Sequence, residues 1–112
     1  MTSATGAQTI GPANGGKVTA VNTLGTTAAI VLNSNPFRKR LTFHNPGTQT
    51  VFVAPVINAQ GAPFTPTNAA LGGTFQIFPA SVLVFEGEVQ DAWQAFAATG
   101  SNNPLTIMES NV

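Results

Sequence analysis

The side chains that could act as acids, bases or metal ligands are few in this sequence of 112 residues. They are one histidine, His44, and four carboxylates, Glu86, Glu88, Asp91 and Glu109. General acid–base catalysis needs such groups to converge, and a zinc or iron site needs three or four ligands. Cysteine is absent, which also removes thiolate nucleophiles, thiolate metal sites and disulfide bonds. The composition therefore predicts a protein that is not an enzyme and that holds no metal or cofactor.

The charged residues are segregated along the chain. Three of the four basic residues are Arg38, Lys39 and Arg40, and three of the four acidic residues are Glu86, Glu88 and Asp91. The two clusters could meet as surface ion pairs, which stabilise by about 0 to 1 kcal/mol each. One cluster could instead dock on a partner of opposite charge and set its register. Since Arg38 and Arg40 lie on one face of a strand and Lys39 on the other, the arginines are the predicted partner-binding residues.

The low charge also limits the possible partners. Charged residues make up 7% of the chain, against roughly a quarter in an ordinary soluble domain. A nucleic-acid-binding surface needs a field of basic side chains, and this chain has four. The longest apolar runs are far shorter than the roughly 20 residues of a membrane helix. We expect neither nucleic acid nor a membrane as partner, and an uncharged surface that packs against other protein chains.

Short alternating runs of β-branched and aromatic residues, separated by Gly, Pro and Asn, predict an all-β domain. The predicted strands cover residues 18–21, 27–32, 38–45, 50–54, 74–78, 81–85, 93–98 and 105–109. In the third of these, Leu41 and Phe43 lie opposite Arg38, Arg40, Thr42 and His44, as in a half-buried antiparallel strand. Eight short strands with one long connection favour an antiparallel two-sheet sandwich of the jelly-roll type.

Turn residues and one tryptophan add detail to this fold. The segment Asn45-Pro46-Gly47-Thr48 predicts a hairpin between the strands before and after it, and residues 100–104 predict a second hairpin. Trp93, Ala95 and Ala97 share one face of their strand. A large indole beside two alanines predicts a packing role, with the two sheets close together behind it.

The first 16 residues, MTSATGAQTIGPANGG, are rich in glycine and have Ile10 as their only large aliphatic side chain. They cannot nucleate a core of their own, so they predict an extended N-terminal arm, residues 1–16, ahead of a domain of residues 17–112. We expect the arm to dock on another chain through Thr9 and Ile10. The alternative is that the arm folds back along its own domain as an edge strand.

Three stretches of the sequence resemble a known family. They are Arg38-Lys39-Arg40-Leu41-Thr42-Phe43-His44-Asn45-Pro46-Gly47, Val51-Phe52-Val53, and the segment from Trp93 to Val112. Together they resemble the small jelly-roll decoration proteins, also called cement or staple proteins, on the outside of some short-tailed bacteriophage capsids. The resemblance covers residues 35–112 and implies a structural virion protein. Such a protein binds the major capsid protein from outside, as a homodimer that bridges neighbouring subunits and stabilises the shell, with a trimer as the open alternative.

Two other functions compete with this one. The first is a receptor- or carbohydrate-binding module of a phage fibre or tail, with residues 58–73 as its contact loop. That loop offers Phe64, Asn58, Gln60 and Asn68 but no Trp, Tyr or carboxylate, so the sequence favours the capsid protein. The second is a metal-dependent enzyme of the cupin kind, which is disfavoured because cupins use several histidines and this chain has one.

Overall fold

The computed structural model describes residues 16–57, 61–63, 74–87 and 89–111. It contains eight strands, which confirms the predicted all-β class and each predicted strand to within a few residues. The strands are β1 (Gly16–Leu24), β2 (Ala29–Leu32), β3 (Arg40–His44), β4 (Val51–Pro55), β5 (Phe75–Ile77), β6 (Val82–Glu86), β7 (Trp93–Ala97) and β8 (Asn103–Ser110). The predicted N-terminal arm lies outside the described residues, apart from Gly16.

The strands form two antiparallel sheets of four strands each. The first sheet has the order β1-β8-β3-β6 and the second has the order β2-β7-β4-β5. Six of the seven connections between consecutive strands pass from one sheet to the other, and only β4 and β5 are consecutive neighbours. An eight-stranded double sheet wound in this way is the predicted jelly-roll sandwich.

Both predicted hairpins are wrong. β3 belongs to the first sheet and β4 to the second, so the turn at residues 45–50 carries the chain across the sandwich. β7 and β8 are separated in the same way. β3 pairs instead with β6 and β8, and β4 pairs with β5 and β7. Gly, Pro and Asn mark where a strand ends, but they do not determine whether the next strand pairs beside it or opposite it.

The core lies between the sheets and has the alternation that the sequence predicts. Leu41 and Phe43 of β3 are fully buried and pack against the facing side chains of the second sheet. The Trp93 ring centroid lies 5.3 Å from that of Phe43 and 5.0 Å from that of Phe85. Ala95 and Ala97 are buried in the same cluster. The predicted packing role of Trp93 and its alanine neighbours is confirmed.

The outward faces of the two sheets differ. On the second sheet, Phe52 of β4 and Phe96 of β7 point away from the core, and each is 7% exposed. Their rings stack with centroids 5.1 Å apart. The central strands of this sheet are therefore buried on both faces. On the first sheet, large apolar side chains of the outward face remain exposed, and this face is described below.

Two buried asparagines fasten one end of the sandwich. The Asn45 amide donates to the carbonyls of Gln49 and Ile77, at 2.7 and 2.9 Å, and its oxygen accepts from the Gly47 N–H. The Asn103 amide donates to the carbonyls of Leu24 and Thr99, both at 3.0 Å. The Asn45 amide therefore ties the β3–β4 connection to the end of β5, and the Asn103 amide ties the β7–β8 connection to the end of β1.

Candidate interaction surface

Arg38 does not lie where the sequence places it. β3 begins at Arg40, and the Arg38 side chain is 0% exposed. The prediction that Arg38 and Arg40 share one exposed face is wrong, because the strand alternation does not extend back to Arg38. A guanidinium with no solvent-accessible surface offers no contact area to a docking partner.

The Arg38 guanidinium instead joins three segments at the end of the sandwich opposite Asn45. Its Nε donates to Glu109 Oε1 of β8 at 2.9 Å. Its Nη1 donates to the carbonyls of Val89 and Asp91, at 2.7 and 2.9 Å, and its Nη2 donates to the carbonyl of Asn33 at 2.7 Å. Four bonds from one planar fork hold the β2–β3 connection, the β6–β7 connection and β8 together.

Arg40 is exposed, as the sequence predicts, and it pairs with Glu86. Its Nε donates to Glu86 Oε2 at 2.9 Å, and its Nη2 contacts the same oxygen. The two side chains are 56% and 62% exposed. The two charge clusters therefore meet within the protein at this pair. Arg38 contributes differently, since it pairs with Glu109 and touches only the backbone of Asp91. Glu88 lies outside the described residues.

The outward face of the first sheet carries side chains in aligned rows. In the central row, Val18 of β1 lies opposite Met108 of β8, Met108 opposite Thr42 of β3, and Thr42 opposite Val84 of β6. Val18, Val84 and Met108 are 63%, 51% and 47% exposed. Four strands about 4.8 Å apart and three rows about 7 Å apart give a face of roughly 400 Å². We call these aligned positions the outer face.

Two further rows flank the central row. One contains Ala20, Thr106, His44 and Val82, and the other contains Gly16, Ser110, Arg40 and Glu86. Val82 is 58% exposed. The charged side chains of the outer face are thus the paired Arg40 and Glu86 at one edge. Large apolar side chains that are exposed together on a protein surface often mark a contact site.

The outer face was not predicted from the sequence, although the sequence contains a signal for it. Residues 82–85 read Val-Leu-Val-Phe, with no polar residue at the positions that should face solvent. A half-buried antiparallel strand normally alternates apolar and polar residues. Leu83 and Phe85 pack against the core, so Val82 and Val84 must lie on the opposite face of the strand. Two apolar residues on that face indicate a second apolar surface.

The described residues contain no group of three or more His, Cys, Asp or Glu side chains that could hold a metal ion. Within the same part of the chain, no helix is long and apolar enough to cross a membrane. The predicted arm contacts, Thr9 and Ile10, lie outside the described residues. So do Asn58, Gln60, Phe64 and Asn68 of the alternative glycan loop.

Comparison with known proteins gives little on function. No protein-family model matches the chain, and no curated protein matches it. A search of solved structures finds a chain from work titled "Bacillus endospore appendages form a novel family of disulfide-linked pili". That chain is 17% identical, the match covers 92% of this chain and 97% of the other, and the TM-score is 0.48. A likeness this distant does not bear on what the protein does.

Proposed function

We propose that this protein is a non-enzymatic structural component of a phage virion that binds the outside of the capsid and staples neighbouring major capsid protein subunits. The observation that carries the proposal is the outer face, where Val18, Met108 and Val84 are exposed in register across a rigid sheet. Exposed aligned apolar side chains are stabilised when another protein surface covers them. The resemblance of residues 35–112 to capsid decoration proteins supplies the virion context.

A second copy of this chain is the occupant that we assign to the outer face. A two-fold axis parallel to the strands places β1 of one copy opposite β6 of the other, so that Val18 meets Val84 and the central row covers itself. The charges do not oppose this packing, because Arg40 and Glu86 neutralise each other within one copy. The chain also has a net charge of zero, so two copies do not repel each other.

The capsid contact is assigned to a different part of the molecule. A homodimer built on the outer face presents its two N-terminal arms, residues 1–16, to two separate capsid subunits. An extended arm can add backbone hydrogen bonds along a partner, with Thr9 and Ile10 as its side-chain contacts. Arg40 lies at the edge of the outer face, where a charge influences register and association rate more than affinity. A dimer with two such arms is a staple.

Co-sedimentation with expanded, empty capsids that lack this protein tests the function. The full-length protein should saturate the shells at a fixed ratio to the major capsid protein, and a variant lacking residues 1–16 should remain folded and no longer bind. Failure of the full-length protein to bind shells would overturn the capsid role. Binding of the truncated variant with undiminished affinity would show that the arm is not the capsid contact.

A further inference from the structure

A cavity of about 300 Å³ opens at the end of the sandwich that Arg38 fastens. It lies where β1 begins and β8 ends, beside the β2–β3 connection. Among the residues that line it are Lys17, Asn33, Ser34, Phe37, Glu109 and Asn111. A volume of roughly 300 Å³ is at the lower end of the range for small-molecule sites. The lining combines a cation, a carboxylate, amides, a hydroxyl and one aromatic ring.

Glu109 provides a fixed hydrogen-bond acceptor for this cavity. Its side chain is 7% exposed. Arg38 Nε and Asn35 Nδ2 both donate to the same oxygen, Oε1, at 2.9 and 3.2 Å. Among the described residues, the bonds of this carboxylate therefore end on Oε1, and Oε2 keeps its lone pairs for a hydroxyl group. A carboxylate held from behind by an arginine does not need to reorganise when a ligand arrives.

Phe37 provides an exposed aromatic wall on a fixed loop. Its side chain is 52% exposed, although it is a large apolar residue. The Phe37 N–H donates to Asn35 Oδ1 at 3.0 Å, and the next N–H, of Arg38, donates to the Asn35 carbonyl at 3.2 Å. The Asn35 N–H in turn donates to the Gln90 carbonyl at 2.8 Å. The backbone that carries the ring is thus held before any ligand binds, which lowers the entropy lost on binding.

The rim of the cavity adds both hydrogen-bond donors and hydrogen-bond acceptors. Lys17 lies directly opposite Glu109 in the pairing of β1 with β8, so an ammonium and a carboxylate border the same opening. Asn33 and Ser34 also line the cavity and are exposed. An amide and a hydroxyl each both donate and accept hydrogen bonds, and the lysine only donates. The cavity therefore matches a ligand that carries many hydroxyl groups.

We propose that this cavity binds one saccharide unit of a glycan. The C–H face of a sugar ring packs on an aromatic ring such as Phe37, while its hydroxyls bond to carboxylate, amide and hydroxyl groups. A nucleotide phosphate would need more cations than Lys17, and a purely apolar ligand would make no use of the polar groups of the lining. None of its lining residues belongs to the outer face, and the site does not depend on the capsid role.

Titration by NMR tests the proposal with stated probes. The probes are the methyl glycosides of glucose, galactose, mannose and N-acetylglucosamine, with sodium acetate as an anionic probe. At least one glycoside should shift the backbone amides of residues 33–37 and 109–111 in a saturable manner. Phe37→Ala should weaken that binding about tenfold or more, the equivalent of about 1.4 kcal/mol. Phe78→Ala, which removes another exposed phenylalanine elsewhere on the domain, should leave it unchanged.

Three results would overturn the saccharide site. The first is the absence of saturable shifts with every glycoside. The second is an equal effect of Phe37→Ala and Phe78→Ala, which would place the binding elsewhere. The third is binding of acetate alone, which would assign the cavity to carboxylate ligands through Lys17. Unchanged melting temperatures of both variants would establish that neither substitution acts through loss of the fold.

Discussion

Arg38 and Glu109, which are 71 residues apart in the sequence, form an ion pair that is almost entirely buried. Their side chains are 0% and 7% exposed, and the two charged atoms lie 2.9 Å apart. Arg38 also donates hydrogen bonds to the backbone carbonyls of Asn33, Val89 and Asp91. A buried pair of this kind is strongly destabilising to break on one side, because the remaining charge loses its partner but stays out of water.

We expect Arg38→Gln to lower the free energy of unfolding by about 3 to 5 kcal/mol. The substitution removes the ion-pair partner of Glu109 and the guanidinium donors of three carbonyls. Arg38→Lys should rescue only part of the loss, since an ammonium cannot reproduce the planar fork. Urea unfolding measures both effects. In the double variant Arg38→Gln/Glu109→Gln, the losses should be less than additive. A loss below about 1 kcal/mol for Arg38→Gln would mean that the pair is not buried in solution.

Arg40→Gln is the matched comparison, because Arg40 pairs with Glu86 in solvent. We expect a change of less than about 1 kcal/mol in the free energy of unfolding, since water screens an exposed pair. The same urea titration provides the measurement. If Arg40→Gln destabilised the protein as much as Arg38→Gln, the contrast between the two pairs would be incorrect.

Asn45→Ala should destabilise the opposite end of the sandwich. The substitution removes two amide donors and one acceptor, and the buried carbonyl of Ile77 loses its bond from the Asn45 amide. Loss of such a partner costs about 1 to 3 kcal/mol. Thermal unfolding followed by circular dichroism measures the effect. Asn22→Ala, at an exposed position of β1, is the control and should stay within about 0.5 kcal/mol of the parent protein.

Gly47→Ala should be unfavourable because there is no room for a methyl group. A Cβ atom at Gly47 would lie 2.8 Å from Cδ and 3.0 Å from Cγ of Pro104, whose ring cannot rotate away. Overpacking of this kind costs about 1 to 3 kcal/mol. Gly25→Ala is the matched control, since its nearest neighbour would lie 3.9 Å away. Equal melting temperatures for the two variants would show that the turn at Gly47 can accommodate a methyl group without loss of stability.

Val84→Lys should dissociate the proposed homodimer. A lysine in the central row, where Val84 of one copy meets Val18 of the other, places two new cations at the contact, and their burial without partners is unfavourable. Sedimentation equilibrium should then report a monomer at concentrations where the parent protein is a dimer. Ile30→Lys is the control, because Ile30 is 61% exposed on the second sheet. If the parent protein is monomeric at all concentrations, the proposal that a second copy covers the outer face is wrong.

The alternation of apolar and polar residues predicted the strands well because it reflects local geometry. Leu41 and Phe43 point into the core because successive side chains of a strand alternate between its faces. The pairing of strands could not be predicted in the same way. β3 bonds to β8, whose residues follow more than sixty positions later, and only packing of the complete sandwich decides between that partner and the adjacent β4.

The surroundings of Arg38 and of the cavity beside it could not be predicted from the sequence. Arg38 reads as an exposed strand residue because charged residues are mostly found at surfaces. Its burial depends on Glu109 and on two carbonyls of the distant β6–β7 connection, which no local pattern encodes. The cavity beside it has the same origin, since Lys17, Phe37 and Glu109 meet only after β1, β8 and the β2–β3 connection are in place.

The position of β8 has a consequence for how the chain acquires this structure during synthesis. β8 is the last of the eight strands, yet it lies between β1 and β3 inside the first sheet. Until it emerges from the ribosome, β1 has no neighbour within that sheet, and the core face of β3 lacks Leu105 and Ile107 beside it. Pairings between distant segments also form slowly. The apolar strands of a nascent chain therefore stay exposed until β8 has been synthesised. During this time the chain can associate wrongly with other chains, and insertion of β8 removes that risk.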